Sequence, residues 1–444
     1  MHRLFLNSVG PIKHCDIEVS ELTVFTGAQA SGKSTIAKSI FFFRTIKDDI
    51  LDAMVRRSSS LTSGFSQISL HKMVTNQIRN KYLQIFGTSR AMSNDLRMKY
   101  CYSEETYIEI TLRLNKGDDY ISPNYVYVEF SKNIEAFLNA NSKVSIIDNW
   151  HKQQIKEQLS ILFADDFETI FIPAGRSLIT LLTTQLNYIF TVMDEEQKRS
   201  IDFCTQKYVE RILKIRNSFD NGVWGYFENK LTTTVDSFNV GLVKRAMLLI
   251  DEILKGRYLY VSGEERLVMD NDKYVKINYT SSGQQETVWI FNILMYQLIN
   301  NTKTFIILEE PEAHLYPDAQ KKISELLALF KNAGNSVLLT THSPYILGAL
   351  NNLLFAHNIA SAVGEEKVLE IVSKEKILVN CASYFVEHDE IEECFDNENN
   401  LIKNEVIDGA SKEINEVFDQ LIALEDKGEK CFFKESQNVM CSSR

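Results

Sequence analysis

The sequence contains few prolines and few cysteines, and its cysteines lack the spacings that bind metals. Only six of the 444 residues are proline, which excludes long proline-rich linkers. The seven cysteines form no Cys-x-x-Cys pair, and none has a metal-binding spacing with a histidine. Because an odd number of cysteines without a disulfide framework is typical of a reducing compartment, we expect a cytoplasmic protein.

The sequence also lacks a long hydrophobic run and an excess of positive charge. No stretch approaches 18 uninterrupted apolar residues, and the first residues, Met-His-Arg-Leu-Phe-Leu-Asn, do not form a signal peptide. We therefore expect no membrane-spanning segment and no membrane partner. The net charge of −11 argues against broad binding to nucleic acid, although it leaves room for a local basic groove.

What remains is the composition of an ordinary folded protein. Apolar residues make up 44% of the chain and charged residues 24%, and the length is enough for two or three domains. The functional interpretation therefore depends on motifs rather than on composition.

One stretch near the N-terminus has the phosphate-binding pattern G-x-x-x-x-G-K-[ST]. It lies between an apolar strand at 22–26 and a helical sequence from 36, which is the context that this pattern requires. Loop N–H groups and the N-terminus of the following helix bind phosphates in such motifs. We expect Lys33 to contact the β- and γ-phosphates of ATP and Ser34 to ligate Mg²⁺. The predicted nucleotide-binding residues are Gly27, Ala28, Gln29, Ala30, Ser31, Gly32, Lys33, Ser34 and Thr35.

Two later apolar strands end in residues that suit hydrolysis. The strand at 304–308 is followed by Glu309 and Glu310, and the strand at 336–340 is followed closely by His342. Of two adjacent carboxylates, one can hold a metal through water and the other can deprotonate an attacking water. We assign Glu309 to Mg²⁺ and Glu310 to the catalytic water.

The stretch Thr280-Ser-Ser-Gly-Gln-Gln-Glu286 opens an apolar helix between these motifs. The order of phosphate loop, Ser-Gly helix start, acidic strand and histidine resembles that of ABC-type P-loop ATPases of the SMC/RecF/OLD-like group. In that group the Ser-Gly signature grips the γ-phosphate of a nucleotide held by the other subunit. The resemblance implies that Ser282 and Gly283 are phosphate contacts, with Gln284 in place of a second glycine.

The resemblance also implies roles for two other positions. His342 matches the switch histidine, which contacts the γ-phosphate and the catalytic water, so Lys33, Glu310 and His342 are the expected catalytic residues. The segment at 170–176 occupies the place of the family's Q-loop but contains no glutamine. We expect Arg176 to line the nucleotide site there instead.

The implied fold is α/β, an ABC-type P-loop ATPase head with a mixed β-sheet core and an inserted helical arm. We expect the first part of the head at 1–175, with helical and hairpin insertions, and the helical arm at 176–255. The second part of the head, with the signature, acidic strand and switch histidine, is expected at 256–380. A C-terminal helical segment is expected at 381–444, where residues 407–424 have an amphipathic pattern suited to packing or partner docking.

The implied function is ATP hydrolysis by a nucleotide-gated homodimer or higher homo-oligomer. The long separation of signature from phosphate loop and the run Glu-Pro-Glu-Ala-His-Leu-Tyr-Pro are most similar to stand-alone OLD-like ATPases. These include the PtuA-like ATPases of Septu and retron-associated anti-phage systems, which act with a separate nuclease.

Two alternative functions remain open at this point. One is a RecF-like repair ATPase that binds DNA, which would require a basic groove in the dimer. The other is an OLD-type nuclease with its own C-terminal metal site, formed by acids such as Glu387 and Asp389.

Overall fold

The structure is a computed structural model, and it describes residues 2–62, 69–87, 93–113, 125–143, 147–181, 192, 202–233, 238–269, 273–387 and 390–403. The strands are β1 (His2–Val9), β2 (Ile12–Val19), β3 (Leu22–Thr26), β4 (Arg97–Cys101), β5 (Tyr107–Leu112), β6 (Val126–Phe130), β7 (Glu168–Ile172), β8 (Arg257–Val261), β9 (Glu264–Val268), β10 (Tyr274–Lys276), β11 (Thr304–Glu309), β12 (Ser336–Thr340), β13 (Ala382–Glu387), β14 (Glu390–Glu393), β15 (Phe395–Asp396) and β16 (Leu401–Ile402). The helices are α1 (Lys33–Arg44), α2 (Ile46–Thr62), α3 (Leu70–Phe86), α4 (Lys132–Ala140), α5 (Asn149–Leu162), α6 (Phe203–Ile215), α7 (Gly222–Thr233), α8 (Val240–Leu254), α9 (Ser282–Ile299), α10 (Pro317–Asn332), α11 (Pro344–Val363) and α12 (Glu365–Leu369).

The central sheet has six strands in the order β14-β13-β3-β12-β11-β7. All are parallel except β14, which pairs antiparallel at one edge. The central strands β3, β12 and β11 are buried along their whole length because both faces of the sheet are covered there. Ile306 and Leu308 face one hydrophobic core, whereas Phe305 and Ile307 face the other. This mixed α/β architecture confirms the predicted fold class.

A second, antiparallel sheet is inserted around the phosphate-loop helix, in the order β2-β1-β4-β5-β6. The predicted hairpins at its two ends are present as β1–β2 and β5–β6. Its buried residues, such as Leu4 and Ile110, share one core with Ile40 and Phe43 of α1. The run Lys116-Gly-Asp-Asp119, which predicts a turn between β5 and β6, lies outside the described residues.

The described helices of the segment 176–255 pack onto the head rather than projecting from it. Residues from α6 to α8, including Tyr208, Phe219 and Met247, join the same buried core as Ile306 of the central sheet. In the described residues, these helices cover one face of the central sheet.

Two predicted elements differ from the structure. Apolar and polar residues alternate over 275–279, a pattern that predicts a strand. The observed strand ends at Lys276, because the side-chain amide of Gln285 donates to the carbonyls of Ile277 and Thr280 and folds the chain into a turn. The helical segment expected from residue 381 is wrong for 382–387 and 390–402, where the described strands are β13 to β16. β13 pairs with β3, so the sheet extends past the expected boundary at 380. Residues 407–424 lie outside the described part of the chain.

One described helix, α11, is long and apolar enough to cross a membrane, judged by length and composition only. Its Ile346, Leu347 and Leu350 are buried in the core beside the central sheet, and it contacts α10 and β16. We therefore interpret α11 as a core helix.

Candidate active site

The phosphate loop joins β3 to α1 and adopts a backbone that glycine favours. Gly27 has φ 136° and Gly32 has φ 108°, while Ala30 also adopts a left-handed φ of 60°. A Cβ atom at Gly27 would lie 2.1 Å from the carbonyl oxygen of Val386 in β13, so that strand packs directly against the loop. Ala28, Gln29 and Ala30 are exposed along the loop, where a triphosphate would lie.

Lys33, the first residue of α1, folds back over the loop. Its Nζ donates to the carbonyl oxygens of Gly27 (2.9 Å) and Ala28 (2.6 Å) and lies 3.5 Å from Nδ1 of His342. Burial lowers the pKa of Lys33 to about 8, and the carboxylates of Glu310 and Glu312 partly oppose this shift. The Lys33 ammonium therefore donates hydrogen bonds to loop carbonyls in the absence of nucleotide, and phosphate oxygens can replace these acceptors.

Glu310 and His342 meet at the carboxyl ends of β11 and β12. The Nε2 atom of His342 is 3.3 Å from Oε1 of Glu310, and both side chains are partly exposed. Glu310 has a φ of 43°, which is unusual for a residue other than glycine, and its N–H donates to the carbonyl of Thr340 (2.9 Å). Because the two strands are parallel neighbours, their C-terminal residues reach the same side of the phosphate loop.

The carboxylates beside the loop fit a hard cation with oxygen ligands. Glu309 is 5% exposed, its Oε2 accepts a hydrogen bond from Ala174 N–H (3.2 Å), and its buried Oε1 has no hydrogen-bond partner. Glu312 is similar, since Oε1 accepts from Thr341 Oγ1 (2.8 Å) and His342 N–H (2.7 Å) while Oε2 has no partner. Such unsatisfied carboxylate oxygens, with the exposed hydroxyl of Ser34 at the start of α1, suit Mg²⁺ with its waters.

Glu312 is a site residue to which the sequence interpretation gave no role. Its side chain accepts hydrogen bonds from Thr341 and His342 and so holds the chain in place after β12. The run Glu310-Pro-Glu312 marks this position as acidic in the sequence. Spacing alone does not show which of Glu309, Glu310 and Glu312 has its side chain directed toward β12.

Arg176 does not line the nucleotide site as predicted. Its side chain is 0% exposed and donates to the carbonyls of Pro173 and Glu309 (both 2.6 Å) and Glu310 (2.9 Å). Its guanidinium also forms an ion pair with Glu286 on α9. The side chain cannot contact a bound nucleotide, because its guanidinium is fully buried and occupied by these acceptors.

The signature residues open α9 as predicted, with Ser281 as the N-cap. Ser282 is exposed at the helix start, and Gly283 packs so closely that a Cβ atom there would lie 2.7 Å from the carbonyl oxygen of His314. The side chain of Gln284 accepts from Ser281 N–H (2.9 Å) in a capping box and donates to the carbonyl of Leu254 (2.7 Å). The predicted phosphate contact of Gln284 is thus not supported by its side chain, which serves the cap.

The acids of the alternative nuclease site are only partly described. Glu387 is exposed at the end of β13, and Asp389 lies outside the described residues. In the part of the chain that the structure describes, no group of three or more His, Cys, Asp or Glu side chains could hold a metal on its own.

The family comparison agrees with this geometry. A family described as "AAA ATPase domain" matches residues 10–347, which include the phosphate loop, the signature, the acidic strand and His342. The chain belongs to this family. This AAA ATPase is an ATP-hydrolysing enzyme with a P-loop ATPase head. No curated protein matches it.

Solved structures similar to the AAA ATPase include SMC head domains, all at low identity. An SmcHead bound to the C-winged helix domain of ScpA has 11% identity and a TM-score of 0.39, with 78% of this chain and 91% of that chain covered. The SMC head domain from Thermotoga maritima has 11% identity and a TM-score of 0.36, covering 88% and 97%. An Smc head domain with an extended coiled coil, bound to the C-terminal domain of ScpA derived from Pyrococcus furiosus, has 11% identity and a TM-score of 0.38, covering 94% and 100%.

Proposed function

We propose that this AAA ATPase is a Mg²⁺-dependent switch in which two copies of the chain enclose two ATP molecules. The main support for the proposal is that Lys33, Glu310 and His342 meet at the carboxyl ends of strands β3, β11 and β12. The Nζ of Lys33 lies 3.5 Å from His342, whose other ring nitrogen lies 3.3 Å from the Glu310 carboxylate. Lysine, carboxylate and imidazole are the groups that bind a γ-phosphate and activate water beside it.

The residues have distinct tasks in the proposed reaction. The triphosphate lies along the loop N–H groups, and Lys33 donates to its β- and γ-oxygens in place of the loop carbonyls. Glu310 accepts a proton from the attacking water, while His342 orients that water against the γ-phosphate. Mg²⁺, held by Ser34 and through water by Glu309, would neutralise charge on the phosphate oxygens when bound.

The second copy supplies the signature. Ser282 lies at the exposed N-terminus of α9, where helix N–H groups and the helix dipole favour an anion. In the proposed dimer, Ser282 and Gly283 of one copy contact the γ-phosphate held by Lys33 of the other. Closure then requires ATP, and hydrolysis permits opening. This arrangement is supported by the motif order and by the resemblance to ABC-type ATPases.

We further propose that the switch is the cytoplasmic ATPase subunit of a bacterial anti-phage system and acts with a separate effector, such as a nuclease. The support is the resemblance of the Glu-Pro-Glu-Ala-His-Leu-Tyr-Pro run to OLD-like ATPases. The cysteines in the described part of the chain are all free, as expected in a reducing compartment. Purification of the tagged chain from its native cells should recover the effector, and recovery of DNA alone would instead favour the RecF-like alternative.

The substitution E310Q tests the proposed switch. It removes the base but keeps the side-chain shape, so ATP hydrolysis should fall by about 10²–10⁴-fold while ATP binding persists. With saturating Mg²⁺-ATP, the E310Q protein should accumulate as a dimer in light-scattering measurements. E157Q, on the exposed face of α5, is the matched control and should behave as wild type. An E310Q protein that remains monomeric at saturating ATP would contradict the switch.

A further inference from the structure

Arg176 is buried where the loop after β7 meets the end of the acidic strand and the start of α9. It follows the loop after β7, and its guanidinium donates to the carbonyls of Glu309 (2.6 Å) and Glu310 (2.9 Å). The same group donates to the carbonyl of Pro173 (2.6 Å). Arg176 therefore joins the end of the acidic strand to the loop after β7, and it is fully buried.

Glu286 joins the same cluster to the signature helix. It lies in the second turn of α9, is 1% exposed, and its Oε2 lies 3.2 Å from Nε of Arg176. Its two carboxylate oxygens accept the backbone N–H groups of Arg176 and Ser177, each at 2.9 Å. Thr180 adds a hydrogen bond to the carbonyl of Gln285 (2.8 Å). Because every oxygen of the Glu286 carboxylate is engaged, α9 and the 173–180 segment are held together.

The contact with Glu310 bears on catalysis because that residue has a strained backbone. Its φ of 43° is costly for a residue with a Cβ atom, and such a conformation persists only when its surroundings hold it. The N–H of Glu310 is held by Thr340 and its carbonyl by Arg176. These two hydrogen bonds fix the backbone of Glu310, whose carboxylate lies 3.3 Å from Nε2 of His342.

We propose that Arg176 is a positioning residue for Glu310, and that Glu286 links Arg176 to α9, the helix that begins with the signature residues. The inference rests on the proposed function, in which Glu310 activates water and α9 meets a nucleotide on the second copy. A displacement of α9 on dimer closure moves Glu286, and with it the guanidinium that holds the Glu310 peptide. Hydrolysis at one nucleotide thereby depends on the engagement of the signature that serves the other.

The substitutions R176Q and E286Q test the proposal by separating binding from turnover. A misplaced base should lower kcat by about 10–100-fold, whereas the dissociation constant for ATP should stay within about threefold, since both side chains are buried and do not reach a bound nucleotide. R176K, which keeps the charge but reaches fewer carbonyls, should recover part of kcat. The matched control is R44Q, which breaks another buried ion pair, with Asp165, and should lower thermal stability without lowering kcat.

Double variants give a readout that a merely structural role would not produce. Adding R176Q to E310Q should not slow the residual hydrolysis further, because the base that Arg176 positions is already absent. R176Q and E286Q together should be no slower than the slower of the two. Should R176Q fail to fold, E286Q, which has nearly the same shape, supplies the same comparison.

Three outcomes separate this inference from the function on which it rests. If E310Q abolishes hydrolysis but R176Q and E286Q retain the wild-type kcat, the positioning role is wrong and the switch stands. The positioning role is also wrong if the losses in kcat of these two variants multiply with that of E310Q. If E310Q hydrolyses ATP like wild type, the proposed function itself fails.

Discussion

At the scale of single residues, the protonation of Lys33 decides how the free enzyme receives ATP. Its ammonium is buried against two loop carbonyls, and burial lowers its pKa to about 8. Above that pH the side chain of the nucleotide-free protein is mostly neutral. A bound triphosphate favours the charged form, so ATP binding at alkaline pH must be accompanied by proton uptake.

We therefore predict that ATP affinity falls as pH rises through about 8, and that binding at pH 9 takes up close to one proton per site. Calorimetric titrations in two buffers with different ionisation enthalpies measure this uptake directly. The variant K33R, whose guanidinium stays charged, should show no uptake even where its affinity is lower. Constant affinity between pH 7 and 9.5, with equal heats in both buffers, would contradict the assigned environment of Lys33.

The sequence allowed some residues to be assigned and not others. Lys33, Glu310 and His342 each follow or precede an apolar strand in a motif order that resembles a known family, and the structure brings them together. Arg176 and Gln284 also lay in motifs, but their side chains are occupied by carbonyl and cap partners that only the tertiary structure supplies. A motif identifies the residue types at a site, whereas burial decides which side chains can reach a ligand.

At the scale of elements, neighbouring residues at the start of α9 hold the backbone around Ser282 in place. Ser281 and Gln284 form a capping box, and Gly283 sits against the backbone of His314. These contacts fix the helix N-terminus without any contribution from a ligand. The cap is therefore expected to matter for turnover as well as for stability.

The pair S281A and S69A tests this expectation. Each substitution removes an N-cap hydroxyl that accepts one backbone N–H, from Gln284 at 3.4 Å and from Lys72 at 3.3 Å, and should cost about 1 kcal/mol. Only S281A should lower ATP hydrolysis, by about tenfold, because S69A caps α3 away from the site. Thermal unfolding and steady-state hydrolysis measure the two effects. Equal kcat values for the two variants would show that the cap has no role in turnover.

Strands whose own sequence is continuously apolar could be predicted, whereas a strand that depends on pairing with a distant segment could not. β11 and β12 could be predicted because strands buried on both faces read as continuous apolar runs. β13 was missed although it is as long as β11, since it continues into the acidic strand β14 and takes its place only by pairing with β3 near the other end of the chain. Local sequence contains no information about so distant a partner.

At the scale of the whole molecule, the parallel sheet explains why motifs far apart in sequence form one site. The carboxyl ends of β3, β11 and β12 lie side by side and present Lys33, Glu310 and His342 to the same space. Ser282 has no such strand and instead lies at the exposed end of α9. The proposed site is complete only when a second copy brings its own α9 to the nucleotide.

Complementation between two inactive variants tests this shared site most directly. K33A removes the phosphate-binding lysine and S282R blocks the signature, so each variant alone should be inactive, while a mixed dimer contains one intact composite site. The proposed sandwich predicts that an equimolar mixture recovers activity that neither variant has alone, at most about a quarter of the wild-type ATPase rate, because half of randomly formed dimers are mixed and each has one working site of two. The proposed link through Glu286 lowers this fraction further, since the other signature of the mixed dimer is blocked. A mixture no more active than its separate components, or an S282R protein that hydrolyses ATP at the wild-type rate by itself, would contradict it.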